Sequence, residues 1–120
     1  MIDLYAIYMI TTGVLLGSLG GIVLKKGSLD IEYQGTLLSI AVQIISNWKI
    51  LLGLLLYFIP AVIWIVLLKK MEISLLQPIF SMTYVLTPFL AILFLNEHVS
   101  QARWLGIGVI ITGVVIVARS

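Results

Sequence analysis

The chain has 120 residues, of which 62% are hydrophobic and 10% are charged. Soluble domains are about half apolar and about a quarter charged, so this composition excludes an ordinary soluble domain and indicates an integral membrane protein. With no cysteine and a formal net charge of only +2, the chain also lacks thiolate chemistry and the strongly basic surface of a nucleic-acid-binding protein.

Four apolar stretches are long enough to cross the roughly 30 Å hydrocarbon core of a bilayer, which takes about 20 residues of helix. They predict an all-α integral membrane protein, because backbone groups in lipid must find hydrogen bonds within the protein. We expect residues 1–120 to form a single transmembrane domain. The predicted spans are residues 4–24, 50–68, 73–95 and 100–118.

The connection between the first two spans is the longest and has an amphipathic pattern. Between Tyr33 and Asn47, apolar residues recur at helical spacing against Thr36 and Gln43. This pattern predicts an amphipathic helix that either lies in the membrane interface or extends the second span. The other two connections are short, so the helices that they join are expected to be antiparallel neighbours.

The basic residues at the span ends are almost evenly divided between the two sides of the membrane. One side holds Lys25, Lys26, Lys49 and Arg103, and the other holds Lys69, Lys70 and Arg119. Because the Lys/Arg bias sets orientation, four against three specifies it only weakly. Insertion in both orientations, orientation by a partner and a small preference for one orientation all fit this balance.

Charged side chains are absent from the interior of every predicted span, so the usual intramembrane carrier of protons or cations is missing. No span offers a nucleophile with an adjacent base or a set of metal ligands. We therefore expect neither an enzyme nor a metal or cofactor site.

Uncharged polar and aromatic residues form stripes along the spans. In the third span they recur at intervals of 3, 4 and 3 residues, on one helix face. These residues are Ser74, Gln77, Ser81 and Tyr84. Such stripes fit a ligand cavity near mid-membrane as well as hydrogen bonding between packed helices. The residues predicted to bind substrate are Ser18, Tyr57, Trp64, Gln77, Ser81 and Tyr84.

The glycines of the first and fourth spans predict close helix contacts, since small residues let backbones approach. In the first span we expect Tyr8, Thr11 and Ser18 to share a face opposite the glycines. In the fourth span, Gly106 and Gly113 are seven residues apart and predict a dimer contact.

Prolines interrupt the second and third spans. Pro60 lies in the second span, and Pro78 and Pro88 lie in the third. Each frees a backbone carbonyl and can kink its helix. The third span is therefore predicted to be either a moving part or a static bend that improves packing.

The segment Leu95–Ile116 carries a glutamate, a short polar turn and then a helix rich in glycine and isoleucine. This pattern resembles the drug/metabolite transporter superfamily, and the chain is similar in size to its small multidrug resistance group and EamA-like relatives. The resemblance implies that helices one to three form a substrate chamber and that helix four forms the dimer contact. It also implies that Gln77–Ser81 lines the pathway and that Glu97 matches the loop acid of the family.

The first span departs from the small multidrug resistance pattern. Those transporters carry a membrane-embedded glutamate that exchanges protons for cations, and Ser18 or Gly17 stands at the matching place here. Met82 and Thr83 replace the glycine pair of the third helix. The loss of the glutamate makes the chain more similar to subunits that flip aminoarabinose attached to undecaprenyl phosphate.

These features predict a multi-pass transporter of a prokaryotic inner membrane that moves a small amphipathic or lipid-linked solute by alternating access as a dimer. Lys25, Lys26 and Glu97 are the expected helix-end charges. The expected partners are the lipid bilayer, the solute and a second copy or a related four-helix chain, without nucleic acid. Two alternatives are an exporter of polar drugs or metabolites that uses no first-helix glutamate, and a non-transporting subunit of a heterodimeric complex.

Overall fold

The computed structural model describes residues 3–120, and every regular element in that range is a helix. The helices are α1 (Leu4–Ser28), α2 (Leu37–Ser46), α3 (Trp48–Leu68), α4 (Ile73–Phe80), α5 (Thr83–Leu95) and α6 (Gln101–Arg119). Four segments are long and apolar enough to cross a membrane: α1, α3, α4 together with α5, and α6. The prediction of an all-α membrane protein with four spans and an additional helix in the first connection is confirmed.

The ends of α1 lie at polar residues. At its start, the Asp3 carboxylate accepts a hydrogen bond of 2.7 Å from the backbone N–H of Ala6. At its end, the helix continues to Ser28, so Lys25 and Lys26 lie in its last turn instead of in a loop. Cations at this position interact favourably with the helix dipole.

The most extensive helix contact joins α1 to α3, and glycines allow it. A Cβ atom on Gly20 would lie 3.1 Å from the Gly53 carbonyl oxygen, and a Cβ atom on Gly53 would lie 3.1 Å from the Gly20 carbonyl oxygen. Nearer the end of α1, a Cβ atom on Gly27 would lie 2.6 Å from Ile50 Cγ1. The two helices therefore touch at their backbones along several turns.

At the other end of this helix pair, α4 joins α1 and α3 around an apolar core. The core consists of Ala6, Ile10, Val14, Ile63, Leu67, Met71, Leu76 and Ile79. Lys70 lies at the same end, with its Nζ atom 4.7 Å from the centre of the Tyr5 ring. By contrast, α6 packs on α4 and α5 through a narrow contact, and its one buried residue is Ile107.

The third span is broken between α4 and α5. At the break, the N–H groups of Ser81 and Met82 donate to the carbonyl oxygens of Pro78 and Ile79, three residues earlier, at 3.0 and 3.1 Å. This tighter pattern marks a turn in the helical path. In the second span, α3 continues through Pro60 from Trp48 to Leu68.

The residues on the predicted polar face of α1 differ in burial. Ser18 is buried, whereas Tyr8 and Thr11, on the same side of the helix, are exposed. The reason is that α1 contacts both α3 and α5, so that its buried arc is wide enough to include Ser18. Ser18 and the glycines therefore lie within one packed surface.

We expect Gly20→Val to lower the free energy of unfolding by about 1–3 kcal/mol, because the added methyl groups must separate α1 from α3. Ala118→Val is the matched control, since Ala118 is exposed near the end of α6. Titration of detergent-solubilised protein with dodecyl sulfate, followed by circular dichroism, measures both values. Equal losses in the two variants would contradict the backbone contact.

Candidate functional site

A cleft of about 450 Å³ opens on the third span where α4 and α5 meet. It is lined by Gln77, Pro78, Phe80, Ser81, Thr83 and Tyr84. Three of the residues predicted to bind substrate therefore remain on one side of the span although the helix is broken between them. Ser81 lies in the break itself, and Tyr84 begins the next turn with 66% of its surface exposed.

A second cleft of about 390 Å³ lies between α3 and α4 and shares Gln77 and Phe80 with the first. Its other lining residues are Pro60, Ala61 and Trp64. We call the two clefts together the central cleft. It brings together Trp64, Gln77, Ser81 and Tyr84.

Two glycines of α1 lie behind the central cleft. A Cβ atom on Gly13 would lie 2.9 Å from Phe80 Cε1, so the Phe80 ring rests against the α1 backbone. A Cβ atom on Gly17 would lie 3.6 Å from Thr83 Cγ2 and 3.9 Å from Pro60 Cγ. The spacing of these glycines predicted close packing, but not that the packing positions an aromatic ring of the cleft.

The hydroxyl groups in the break donate to the backbone. Ser81 Oγ donates to the Pro78 carbonyl oxygen, and Thr83 Oγ1 donates to the Phe80 carbonyl oxygen at 3.1 Å. Because a hydroxyl has one donor and two acceptor positions, both oxygens retain the capacity to accept. The Gln77 amide supplies two donors and an acceptor at an exposed position.

Every residue that lines the central cleft is uncharged, so its lining offers hydrogen-bonding and aromatic groups but no ionic ones. Within residues 3–120, no group of three or more His, Cys, Asp or Glu side chains is arranged to hold a metal ion. The chemistry of the lining suits an uncharged polar group, such as a sugar, more than an isolated ion.

Ser18 and Tyr57 are not among the residues that line the central cleft. Tyr57 lies at the α1–α3 contact, with its hydroxyl oxygen 3.2 Å from the place of a Cβ atom on Gly21. Ser18 is 1% exposed, and within residues 3–120 its hydroxyl has no hydrogen-bond partner. Both residues belong to the helix contacts around the cleft and not to its lining.

Ser74 does not line the central cleft with Gln77, Ser81 and Tyr84, although its spacing in the sequence placed it in the same stripe. It lines a different cavity of about 370 Å³ at the end of the bundle, with Lys70, Glu72, Val117 and Ser120 among its neighbours. Ser74 lies in the first turn of α4, beside the last turn of α6, and Gln77 lies one turn farther into the span.

The predicted helix-end charges lie at one end of the bundle, because successive spans are antiparallel. Lys25 and Lys26 are exposed in the last turn of α1. Glu97 is exposed in the connection after α5, which ends at Asn96 with a left-handed φ of 54°. The lysines and the glutamate thus mark the same membrane surface.

The glycines of α6 have open space around them. A Cβ atom at Gly106, Gly108 or Gly113 would have no neighbour within 4 Å. A groove of about 630 Å³ runs along α6, and its lining includes Gly108, Thr112 and Gly113. The spacing that identified Gly106 and Gly113 overlooked Gly108, which is two residues from Gly106 and points to another side of the helix.

A family model described as the EamA-like transporter family matches residues 3–119. The chain is 25% identical, over 99 residues, to the probable 4-amino-4-deoxy-L-arabinose-phosphoundecaprenol flippase subunit ArnE of Pseudomonas fluorescens, covering 82% of this chain and 85% of that protein. It is 39% identical over 51 residues to a protein of the same name from Aeromonas hydrophila, covering 42% of this chain and 45% of that protein. No solved structure matches the chain. The predicted family resemblance is confirmed.

We expect a cysteine at position 81 (Ser81→Cys) to react with a membrane-impermeant maleimide in proteoliposomes. Because a thiolate forms readily only in contact with water, labelling should be at least about tenfold faster than for Phe58→Cys. Phe58 is the matched control, as it lies halfway along α3 and is exposed on the outside of the bundle. The chain contains no natural cysteine to compete. Equally slow labelling at both positions would show that water does not enter the cleft.

Proposed function

The chain belongs to the EamA-like transporter family, and we propose that it moves a small amphipathic or lipid-linked solute across the membrane through the central cleft. It is a multi-pass integral membrane protein, with four helices of spanning length. The two relatives are named as flippase subunits, which supports transport in preference to an enzymatic reaction. The proposed location is the inner membrane of a bacterium.

The observation that carries this proposal is that Trp64, Gln77, Ser81 and Tyr84 line two adjoining clefts, which share Gln77 and Phe80. Polar groups at membrane depth are costly unless they contact one another, water or a ligand. An indole ring can lie against the apolar face of a sugar, while an amide and hydroxyl groups hydrogen-bond to its polar edge. A sugar headgroup is therefore the proposed occupant.

A lipid-linked sugar phosphate also fits the charge distribution. Because Ser18 occupies the buried position in α1, no carboxylate there repels an anionic solute or exchanges a proton. Lys25 and Lys26 are exposed at one end of α1, where they can pair with a phosphate at the membrane surface. The sugar would then pass through the central cleft while its lipid tail stays in the bilayer.

Alternating access requires an element that moves, and the break between α4 and α5 is the proposed hinge. Pro88 cannot donate to the Tyr84 carbonyl, and the turn at Ser81 and Met82 already lacks regular α-helical bonding. Rocking of α4 against α5 at this turn would open the cleft toward one membrane surface and then the other. The Phe80 ring against Gly13 would move with α4.

We further propose that the open surface of α6 pairs with α6 of a second chain. Gly106 and Gly113 share a side of α6 that leaves room for a neighbouring helix, and close approach of small residues stabilises helix pairs in membranes. The word subunit in the names of the two relatives favours a related four-helix chain as the partner. A homodimer is the alternative, and a non-transporting role within a heterodimer is the second candidate function.

Gln77→Ala and Tyr84→Phe should each lower the rate of lipid-linked sugar flipping in proteoliposomes by about threefold to tenfold, which corresponds to the loss of one hydrogen bond. Their matched controls are Gln101→Ala and Tyr8→Phe, which remove the same groups from exposed positions outside the cleft. The reconstituted protein includes its partner chain if a heterodimer is required. Wild-type rates in both cleft variants would remove these residues from the pathway.

A different outcome would favour the alternative exporter. Overexpression would then give resistance to polar drugs or metabolites, without any change in lipid-linked sugar on the outer surface. The cleft variants would abolish that resistance, while their controls would preserve it.

We expect Gly113→Leu to weaken dimer formation by about tenfold, because a large side chain prevents close approach of the α6 helices. Ala118→Leu is the control, since it adds a similar side chain at an exposed position near the end of the helix. Analytical ultracentrifugation in detergent measures self-association. A wild-type chain that is monomeric alone and dimeric with a related chain would establish the heterodimer.

A further inference from the structure

We propose that α2 is an interfacial anchor, whose apolar face inserts between the lipid headgroups and acyl chains at the membrane surface marked by Lys25 and Lys26. Insertion is driven by apolar area and needs no anionic lipid. This inference concerns a part of the chain outside the central cleft, and it holds whether or not the chain transports a lipid-linked sugar.

The apolar face of α2 is strongly exposed. Leu37, Leu38 and Ile45 are 89%, 75% and 69% exposed, and their spacing places them on one side of the helix. Ser39 and Ser46 lie on the opposite side. None of the residues in α2 is buried. The protein itself therefore leaves this face uncovered.

A pair of hydrogen bonds fixes the rotation of α2 about its own axis. Gln43 Oε1 accepts from the Glu32 N–H at 2.8 Å, and Gln43 Nε2 donates to the Glu32 carbonyl oxygen at 3.1 Å. We call these two hydrogen bonds the clamp. Since Gln43 lies on the polar side of α2, the clamp holds that side against the preceding segment of the chain. The apolar side consequently faces away from it.

A second set of contacts fixes the depth of α2. Asn47, the residue between α2 and α3, accepts at Oδ1 from the Lys49 N–H at 2.9 Å, and its Nδ2 donates to the Gly27 carbonyl oxygen at 3.4 Å. Asp30 accepts from Lys49 Nζ at 3.0 Å and from Asn47 Nδ2 at 3.3 Å. Both hydrogen bonds hold the pKa of Asp30 below its usual value, and the bond from Lys49 has the larger effect. The end of α2 is thereby held at the level of the last turn of α1.

The position of α2 in the chain indicates that lipid covers its apolar face. With 10 residues, α2 is too short to cross the bilayer, and it leads through one residue into a spanning helix. The first turn of α3 exposes Trp48 and Leu51, so exposed apolar residues continue from α2 into the spanning helix. Tyr33 and Trp48 are exposed on either side of α2, and both residue types are enriched at membrane interfaces.

The charge of α2 determines which lipids it needs. Leu37–Ser46 contains no charged residue, whereas helices that depend on anionic lipids carry Lys and Arg on their polar face. The nearby Lys49 is paired with Asp30. The anchor should therefore bind phosphatidylcholine as well as it binds an anionic mixture.

The test places a nitroxide spin label on single cysteines in the full chain, reconstituted into phosphatidylcholine vesicles with and without phosphatidylglycerol. Leu38→Cys and Ile45→Cys report on the apolar face, and Ser39→Cys and Ser46→Cys are the matched controls on the polar face. The measured quantity is the ratio of collisions with oxygen, which concentrates in lipid, to collisions with a water-soluble nickel chelate. We expect this ratio to be at least about threefold higher on the apolar face in both lipid mixtures.

Three results would overturn the proposal. Equal ratios on both faces would place α2 in water. Exclusion of both reagents from the apolar face would show that protein covers it, and a contrast seen only with phosphatidylglycerol would show that anionic lipid is needed.

A second variant tests the clamp separately. Gln43→Ala should reduce the difference in the oxygen-to-nickel collision ratio between labels at positions 45 and 46, because the helix can then rotate. The control Gln34→Ala, in the preceding segment, should preserve this difference. An unchanged difference in Gln43→Ala would show that the Gln43–Glu32 hydrogen bonds do not fix the rotation of α2.

Discussion

The backbone contact between α1 and α3 is the interaction on which the other helix contacts depend. Gly20 and Gly53 face each other so closely that a Cβ atom on either would lie 3.1 Å from the carbonyl oxygen of the other. In a membrane, where lipid tails are as apolar as the side chains, such close approach is a main source of helix association. The same α1 surface receives Phe80 at Gly13 and Thr83 at Gly17, and so aligns both halves of the third span. One glycine-rich face thus positions three of the four spans.

The polar site follows from how the third span meets that face. A regular helix would satisfy its own backbone and offer only side chains, but the turn at Ser81 and Met82 replaces α-helical bonds by shorter-range ones and opens a cleft beside Gln77 and Tyr84. Broken helices at membrane depth are tolerated where they line a cavity. In the proposed function, the break exposes polar groups to the solute and interrupts the α-helical bonding of the span, which suits a part that must move.

The helices differ in how much of their surface is covered by other helices. The helices α1, α3 and α4 share the apolar core, whereas α6 has a single buried residue and α2 has none. Large apolar surfaces without a protein neighbour mark places where another helix or lipid binds. The position of each surface in the membrane indicates which of the two it is. The open glycines of α6 lie at spanning depth and suit another helix, while the clamped face of α2 lies at the membrane surface and suits lipid.

Local pattern in the sequence by itself determined the four spans, the helix in the first connection and the common side of Gln77, Ser81 and Tyr84, because bilayer thickness and helical periodicity act within one segment. Only the tertiary structure decided that Ser18 is buried, that Tyr57 lies against α1 and that the third span breaks at a turn. These features depend on how each helix is rotated against its neighbours. In spans that are apolar on every side, hydrophobicity does not specify that rotation, and contacts between residues distant in the sequence must set it.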